Sequence, residues 1–133
     1  MLETGAVLPE RAFRITRADL VRYAGASGDF NPIHWSDRVA AEAGLPGVIG
    51  HGMLTMALAA RAVTEWTGDP GALVAYTVKF TKPVEVPDDE QGAELAVSGV
   101  VKKVEGGVAQ VDLTVSAAGE RVLTAARAQV RAG

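Results

Sequence analysis

A chain of 133 residues with a net charge of −3, from 13 Lys and Arg against 16 Asp and Glu, has room for one domain and presents no electrostatic footprint for nucleic acid or anionic lipid. Hydrophobic residues make up 48%, but 23 residues are Ala and only 5% are aromatic, so the core must come from Val, Leu and Ala packed tightly. With no Cys there is no disulfide framework, no thiolate nucleophile and no Cys-based zinc site, which leaves oxygen and imidazole chemistry.

Residues 1 to 6 carry an acid and no cationic stretch ahead of an apolar one, so no signal peptide is expected. Residues 1 to 15 form an extended lead-in containing Pro9, and Phe13 and Ile15 predict an edge strand at its end. Thr16, with Asp19 three residues on, predicts a capping box; Leu20, Val21 and Ala24 supply the apolar face of the helix, which must stop near Gly25 to Gly28. Ser36 predicts the cap of a second short helix through Val39, Ala40 and Ala43, ended by Gly44 and Pro46. Met53 to Val63 is apolar around nearly its whole circumference, with Ala at 57, 59, 60 and 62, which predicts a central helix buried on most sides. Thr55 and Arg61 interrupt that run, and it falls short of the ~20 apolar residues that cross a bilayer, so a soluble cytoplasmic protein is expected.

Gly68-Asp69-Pro70-Gly71 is a turn signal, after which the period changes to two: Val74, Tyr76, Val78 and Phe80 alternate with Ala75, Thr77 and Lys79 as a half-buried strand, ended by Pro83 and Pro87. Leu95 to Val104, Glu105-Gly106-Gly107 and Val108 to Val115 read as a hairpin with Ala109, Val111, Leu113 and Val115 inward. Ala118-Gly119-Glu120 turns the chain into a last strand through Val122, Thr124, Ala126, Ala128 and Val130. Helices followed by strands predict an α+β fold, an antiparallel sheet curled around the Met53 helix.

Both histidines fall in two short segments, Tyr23 to His34 and Val48 to Met53. Pro32 lacks an N–H and pushes Asn31 out of the α region, so Asp29 and His34 stand on a rigid non-helical turn that can aim both at one small volume. A carboxylate and an imidazole sharing a water can take a proton at one end and supply one at the other. The same Asp-x-Asn-Pro run is also ordinary turn chemistry, with Asx side chains bonding the backbone. Gly52 opens the central helix, where its N–H can serve an oxyanion or where glycine merely permits close packing. His51 can join Asp29 and His34 around a metal, or orient the loop by packing and hydrogen bonding.

The run Ser27-Gly28-Asp29-Phe30-Asn31-Pro32-Ile33-His34 resembles the hydratase motif of the MaoC-like, R-specific enoyl-thioester hydratases, and His51-Gly52-Met53-Leu54-Thr55 resembles that family's second block. The likeness extends over nearly the whole chain and is strongest toward the catalytic subunits of actinobacterial β-hydroxyacyl-carrier-protein dehydratases. It implies a single hot-dog domain over residues 1–133, with Asp29 and His34 as the catalytic pair, Asn31 supporting them and the Gly52 N–H binding the thioester carbonyl. The reaction implied is reversible hydration of trans-2-enoyl to (R)-3-hydroxyacyl thioesters in fatty-acid metabolism, with no metal or other cofactor, the substrate being carried on CoA or on the phosphopantetheine of an acyl carrier protein. It implies a dimer as well, with a second copy or with a related hot-dog subunit. Some single-chain members carry Ser where this chain has Ala60, which tilts the expectation toward a mixed pair.

Two other readings use the same residues. A hot-dog thioesterase also needs a carboxylate, a water and a carbonyl-binding N–H. A non-catalytic acyl-binding or scaffolding subunit would keep the fold and inherit the turn. The set Asp29, His34 and Gly52, with Asn31-Pro32 between the first two, favours hydration over both.

Overall fold

The structure is a computed structural model and describes residues 2–132. Period-two alternation builds five strands: β1 (Val7–Ile15), β2 (Leu73–Phe80), β3 (Ala93–Glu105), β4 (Val108–Ala117) and β5 (Glu120–Arg131). All pairings are antiparallel, in the order β1-β3-β4-β5-β2, so β1 and β2 are the two edges. The inward residues Ala109, Val111, Leu113 and Val115 of β4 are buried as the alternation predicts.

Three helices precede or interrupt the sheet: α1 (Arg17–Ser27), α2 (Asp37–Glu42) and α3 (Gly52–Thr67). Thr16 and Asp19 form the predicted capping box, and α1 ends on Gly28 in the left-handed region at φ 77°. Ser36 caps α2 by accepting from the Val39 N–H. The sheet curls around α3, which packs across β1, β2, β3 and β5 in the hot-dog arrangement. Ala59 and Ala62 let the backbone come close to the sheet. Below them the Trp66 indole, donating to the Pro9 carbonyl at 2.7 Å, lies against Gly99, where a Cβ would stand 3.1 Å from the ring.

Three expectations need correction. In the chain by itself α3 is not buried on most sides: Thr55, Ala59, Ala62, Val63 and Trp66 face inward, while Met53 is 59% exposed and Ala57, Arg61 and Glu65 are exposed with it. On β2 only Leu73, Tyr76 and Val78 are half-buried, and Val74 and Phe80 are exposed, because an edge strand has a neighbour on one side alone. On β5 the alternation slips at Ala125, which has φ 47°; Leu123 and Ala126 are buried and Thr124 is not. The connection after β2, predicted only as a terminator, adds Val84 and Val86 to the core.

Candidate active site

The turn from Asp29 to His34 is built by the end of α1. The Gly28 N–H donates to the Ala24 carbonyl at 2.9 Å and the left-handed residue reverses the chain. Ser27 Oγ donates to the Tyr23 carbonyl and accepts the Asp29 N–H, so Asp29 leaves the helix in a set direction. The two Asx side chains then act in series. Asp29 Oδ1 accepts the Asn31 N–H, and Asn31 Oδ1 accepts the Ile33 N–H, capping the short 3₁₀ turn Pro32–His34. The turn chemistry read from the sequence is therefore real, and it uses one oxygen of Asp29. The other, Oδ2, faces His34 Nε2 at 3.8 Å. Asn31 supports the pair through this backbone capping.

The second segment is clamped against the first. The Ile49 N–H donates to the Ile33 carbonyl at 3.2 Å, the Gly50 N–H to Val84 at 2.8 Å and the Val86 N–H to Val48 at 2.9 Å, which fixes Val48 to Gly50 between the Asp29–His34 turn and the β2–β3 connection. In return the Ile49 carbonyl receives His34 Nδ1 at 2.7 Å. A carbonyl oxygen can only accept, so Nδ1 carries the hydrogen and the Nε2 of the neutral ring is a lone pair. The buried imidazole and the half-exposed carboxylate thus present two acceptors to each other, farther apart than a direct hydrogen bond and spaced for a water that donates to both.

His51 is 2% exposed and stacks on His34 with centroids 3.8 Å apart at 21°, with Tyr23 edge-on at 4.7 Å on another side. Its Nε2 donates to the Asp29 carbonyl at 3.2 Å, while its buried Nδ1 has no partner among the described residues. Burial pushes the His51 pKa below its ordinary value, partly offset by the bond to Asp29; the neighbouring His34 pushes in the same direction as burial. Ligand atoms of Asp29, His34 and His51 lie within 4.8 Å of one another. The two imidazoles are stacked, and one nitrogen of each ring is committed to a backbone carbonyl.

Gly52 is the first residue of α3. His51 gives no side-chain cap, and the Gly52 N–H has no acceptor among the described residues, so it remains a free donor at the positive end of a 16-residue helix. His34 and Gly52 line one cavity of about 250 Å³, with Gly50, Thr55, Phe80 and Leu123 in its walls. A Cβ at Gly52 would stand 3.1 Å from the Phe80 ring, so both readings of this glycine hold: it packs tightly and it offers an N–H. Phe80 and Tyr23 are contacts the sequence reading missed. Phe80 was assigned only to the inward side of a strand, and no local signal connects residue 80 with residue 52. Ala60 is half-buried on α3 and brings no polar side chain.

Comparison with known proteins shows the family of the chain. The family model described as the MaoC like domain matches residues 3–120. The chain is 42% identical over 79 residues to 3-hydroxyacyl-thioester dehydratase X of Mycobacterium tuberculosis, an alignment covering 59% of this chain and 27% of that protein. It is 33% identical over 100 residues to the mitochondrial 3-hydroxyacyl-[acyl-carrier-protein] dehydratase of Arabidopsis thaliana, covering 74% of this chain and 58% of that one. The chain thus spans about a quarter of the first of these curated relatives and under three fifths of the second. Among solved structures, a MaoC-like dehydratase superposes with a TM-score of 0.95 at 41% identity, over 98% of this chain and 41% of that chain. The R-hydratase PhaJ1 from Pseudomonas aeruginosa superposes at 0.81 with 30% identity, over 97% and 81%. One chain of the ChsH1-ChsH2 complex from M. tuberculosis, at 23% identity and 0.83, shares the fold over 98% of each chain.

Proposed function

The chain belongs to the MaoC-like domain family, and on the geometry of its site we propose that it adds water reversibly to trans-2-enoyl thioesters to form (R)-3-hydroxyacyl thioesters. The observation that carries this reading is the fixed tautomer of His34: Nδ1–H on the Ile49 carbonyl, with Nε2 free and facing Asp29 Oδ2 at 3.8 Å. Relatives named 3-hydroxyacyl-thioester dehydratase and R-hydratase support the same chemistry.

In this mechanism the thioester carbonyl accepts the Gly52 N–H, so the negative charge that develops on that oxygen as C3 is attacked is stabilised where it forms. The water donates one hydrogen to Asp29 and the other to His34 Nε2, which leaves its lone pair for C3. As the C3–O bond forms, Nε2 takes the proton, and the imidazolium returns it to C2, so the water is divided between the two carbons and the ring ends neutral. Dehydration is the same path reversed. His51 holds the Asp29 backbone and stacks on His34, and burial, by lowering its pKa, disfavours a second positive charge beside the transient imidazolium. The scheme calls for no metal or redox cofactor.

The exposed side of α3 and the free edge of β2, with Val74 46% and Phe80 54% exposed, support a second subunit of the same fold covering this flank of the cavity. A chain of this fold occurs in the ChsH1-ChsH2 complex. Incubation with a short trans-2-enoyl-CoA and with its saturated counterpart tests the assignment. Loss of enoyl absorbance without thiol release is expected; thiol release from either substrate indicates a thioesterase, and no change with or without a partner subunit indicates a binding or scaffolding role.

A further inference from the structure

Tyr23 opens the run that ends at His34, yet it takes no part in the proton transfers. It stands on α1, a helix seated by the buried Leu20 and Ala24 and closed at its first turn by the Thr16–Asp19 box. Its hydroxyl makes no hydrogen bond among the described residues, so what it offers its neighbours is a ring and a carbonyl. The carbonyl accepts Ser27 Oγ at 2.7 Å, and Ser27 Oγ accepts the Asp29 N–H at 3.1 Å. The ring meets His51 edge-on, with centroids 4.7 Å apart at 64°, and His51 stacks on His34 at 3.8 Å and 21°. One helical residue thus reaches both members of the proposed pair, each through a single intermediary.

We infer that Tyr23 is a positioning residue for the pair: its ring, acting through His51, fixes the plane in which His34 presents Nε2 to Asp29 Oδ2. The inference rests on the hydratase reading for what the pair does. The second torsion of a histidine side chain is broad, so the ring plane is set by what packs against it. His34 is pinned at Nδ1 by the Ile49 carbonyl at 2.7 Å, which leaves Nε2, on the other side of the ring, to be steadied by the face of His51. His51 has only one side-chain hydrogen bond, the 3.2 Å contact from Nε2 to the Asp29 carbonyl, and its buried Nδ1 has none among the described residues. A ring held by one long bond takes its plane from its aromatic neighbours, and an edge-to-face contact is directional. Tyr23 also shares the wall of a cavity of about 350 Å³ with Ile15, Leu54 and Leu58, so a smaller side chain there opens space beside His51. A displacement of about 1 Å at the reacting groups can cost roughly 10²-fold in rate. The 3.8 Å spacing of Nε2 and Oδ2, which admits one water, is a geometry of that kind.

Tyr23→Phe keeps the ring and Tyr23→Leu removes it; Tyr23→Met is a second ringless variant that suits a helix, taken if the first does not fold by circular dichroism. Heteronuclear NMR of the imidazoles reads the geometry without turnover. The His34 ring signals of the Phe variant are expected to coincide with those of the wild type, and those of a ringless variant to move. Coincidence in all three proteins overturns the inference. Hydration of crotonyl-CoA then reads the consequence. The Phe variant should keep kcat within about twofold, and a folded ringless variant should lose roughly tenfold or more in kcat with KM within about twofold. An unchanged kcat in the ringless variant, an equal loss in the Phe variant, or a change confined to KM each overturns the inference, the second by assigning the role to the hydroxyl and the third by placing Tyr23 in substrate binding. A wild type that hydrates no enoyl thioester contradicts the hydratase reading instead, and the NMR comparison still decides whether Tyr23 sets the His34 ring.

Discussion

Asp29 divides its carboxylate between two tasks, Oδ1 bonding the Asn31 N–H and Oδ2 facing His34, which is why a turn signature and a catalytic signature coincide in the same residues. The histidines follow a similar economy, each committing one ring nitrogen to a carbonyl. For His51 this has a consequence in pH. Burial holds its folded pKa below the ordinary 6.5, so under acid the unfolded chain binds a proton that the folded chain resists; stability then falls as pH drops below about 6.5. Denaturant melts at about pH 7.5 and 5.5 should show a smaller acid loss for His51→Gln, whose side chain can still donate to the Asp29 carbonyl, than for the wild type; equal losses would contradict the buried neutral ring. Gly52 allows a cleaner separation than deletion alone. Gly52→Ala keeps the N–H but brings a Cβ within 3.1 Å of Phe80, whereas Gly52→Pro adds the same carbon and removes the donor. His51 has φ −63° and ψ 134°, a conformation that a following proline accepts. The Pro variant should therefore be slower than the Ala variant by the ~10²–10³ lost with one oxyanion donor, and equal kcat values in the two would remove the N–H from the mechanism.

The elements legible in the sequence were those with local signals: the Thr16–Asp19 box, the Ser36 cap, the alternation of β4 and the small residues on the inner face of α3. What escaped depends on distant neighbours. Ala125 adopts φ 47° within β5, where Val122 and Leu123 are both buried and Thr124 is not, while Ala126, Ala128 and Val130 are buried as the alternation predicts; alanine carries none of glycine's warning of a bulge. The edge position of β2 follows from sheet order, which no window of residues contains. Gly92 is the element-scale counterpart of Gly52. It has φ 60°, and a Cβ there would stand 2.1 Å from the Ile15 carbonyl oxygen, because the start of β3 passes directly against the end of β1. Gly92→Ala should destabilise the fold by at least about 2 kcal/mol, adding backbone displacement to the left-handed penalty of roughly 1–2 kcal/mol. Chemical denaturation measures this, and a change below 0.5 kcal/mol, taken as roughly the surface background, would contradict the close approach.

At the scale of the whole molecule, the amphipathic exposure of α3 is the main departure from the sequence reading. A nearly continuous apolar circumference predicts burial on most sides, and a single chain covers only the side facing the sheet. No helix among the described residues is long and apolar enough to cross a membrane. The cover proposed for the exposed face of α3 is a second hot-dog subunit. Native mass spectrometry at micromolar concentration should show a dimer, either of this chain or with a related subunit, and Ala57→Glu on the exposed face should weaken it; a stable monomer under both conditions would contradict the pairing. Asp29 and His34, the proposed catalytic pair, lie within one chain, which makes the central claim testable on its own. The direct measurement is the initial rate of enoyl-thioester hydration, with free thiol quantified in the same samples, for the wild type and for folded Asp29→Asn and His34→Ala variants. The account predicts hydroxyacyl product without thiol in the wild type and a loss of ~10²–10⁴ in each variant; thiol release in place of hydration, or a near-normal rate in either variant, would contradict it.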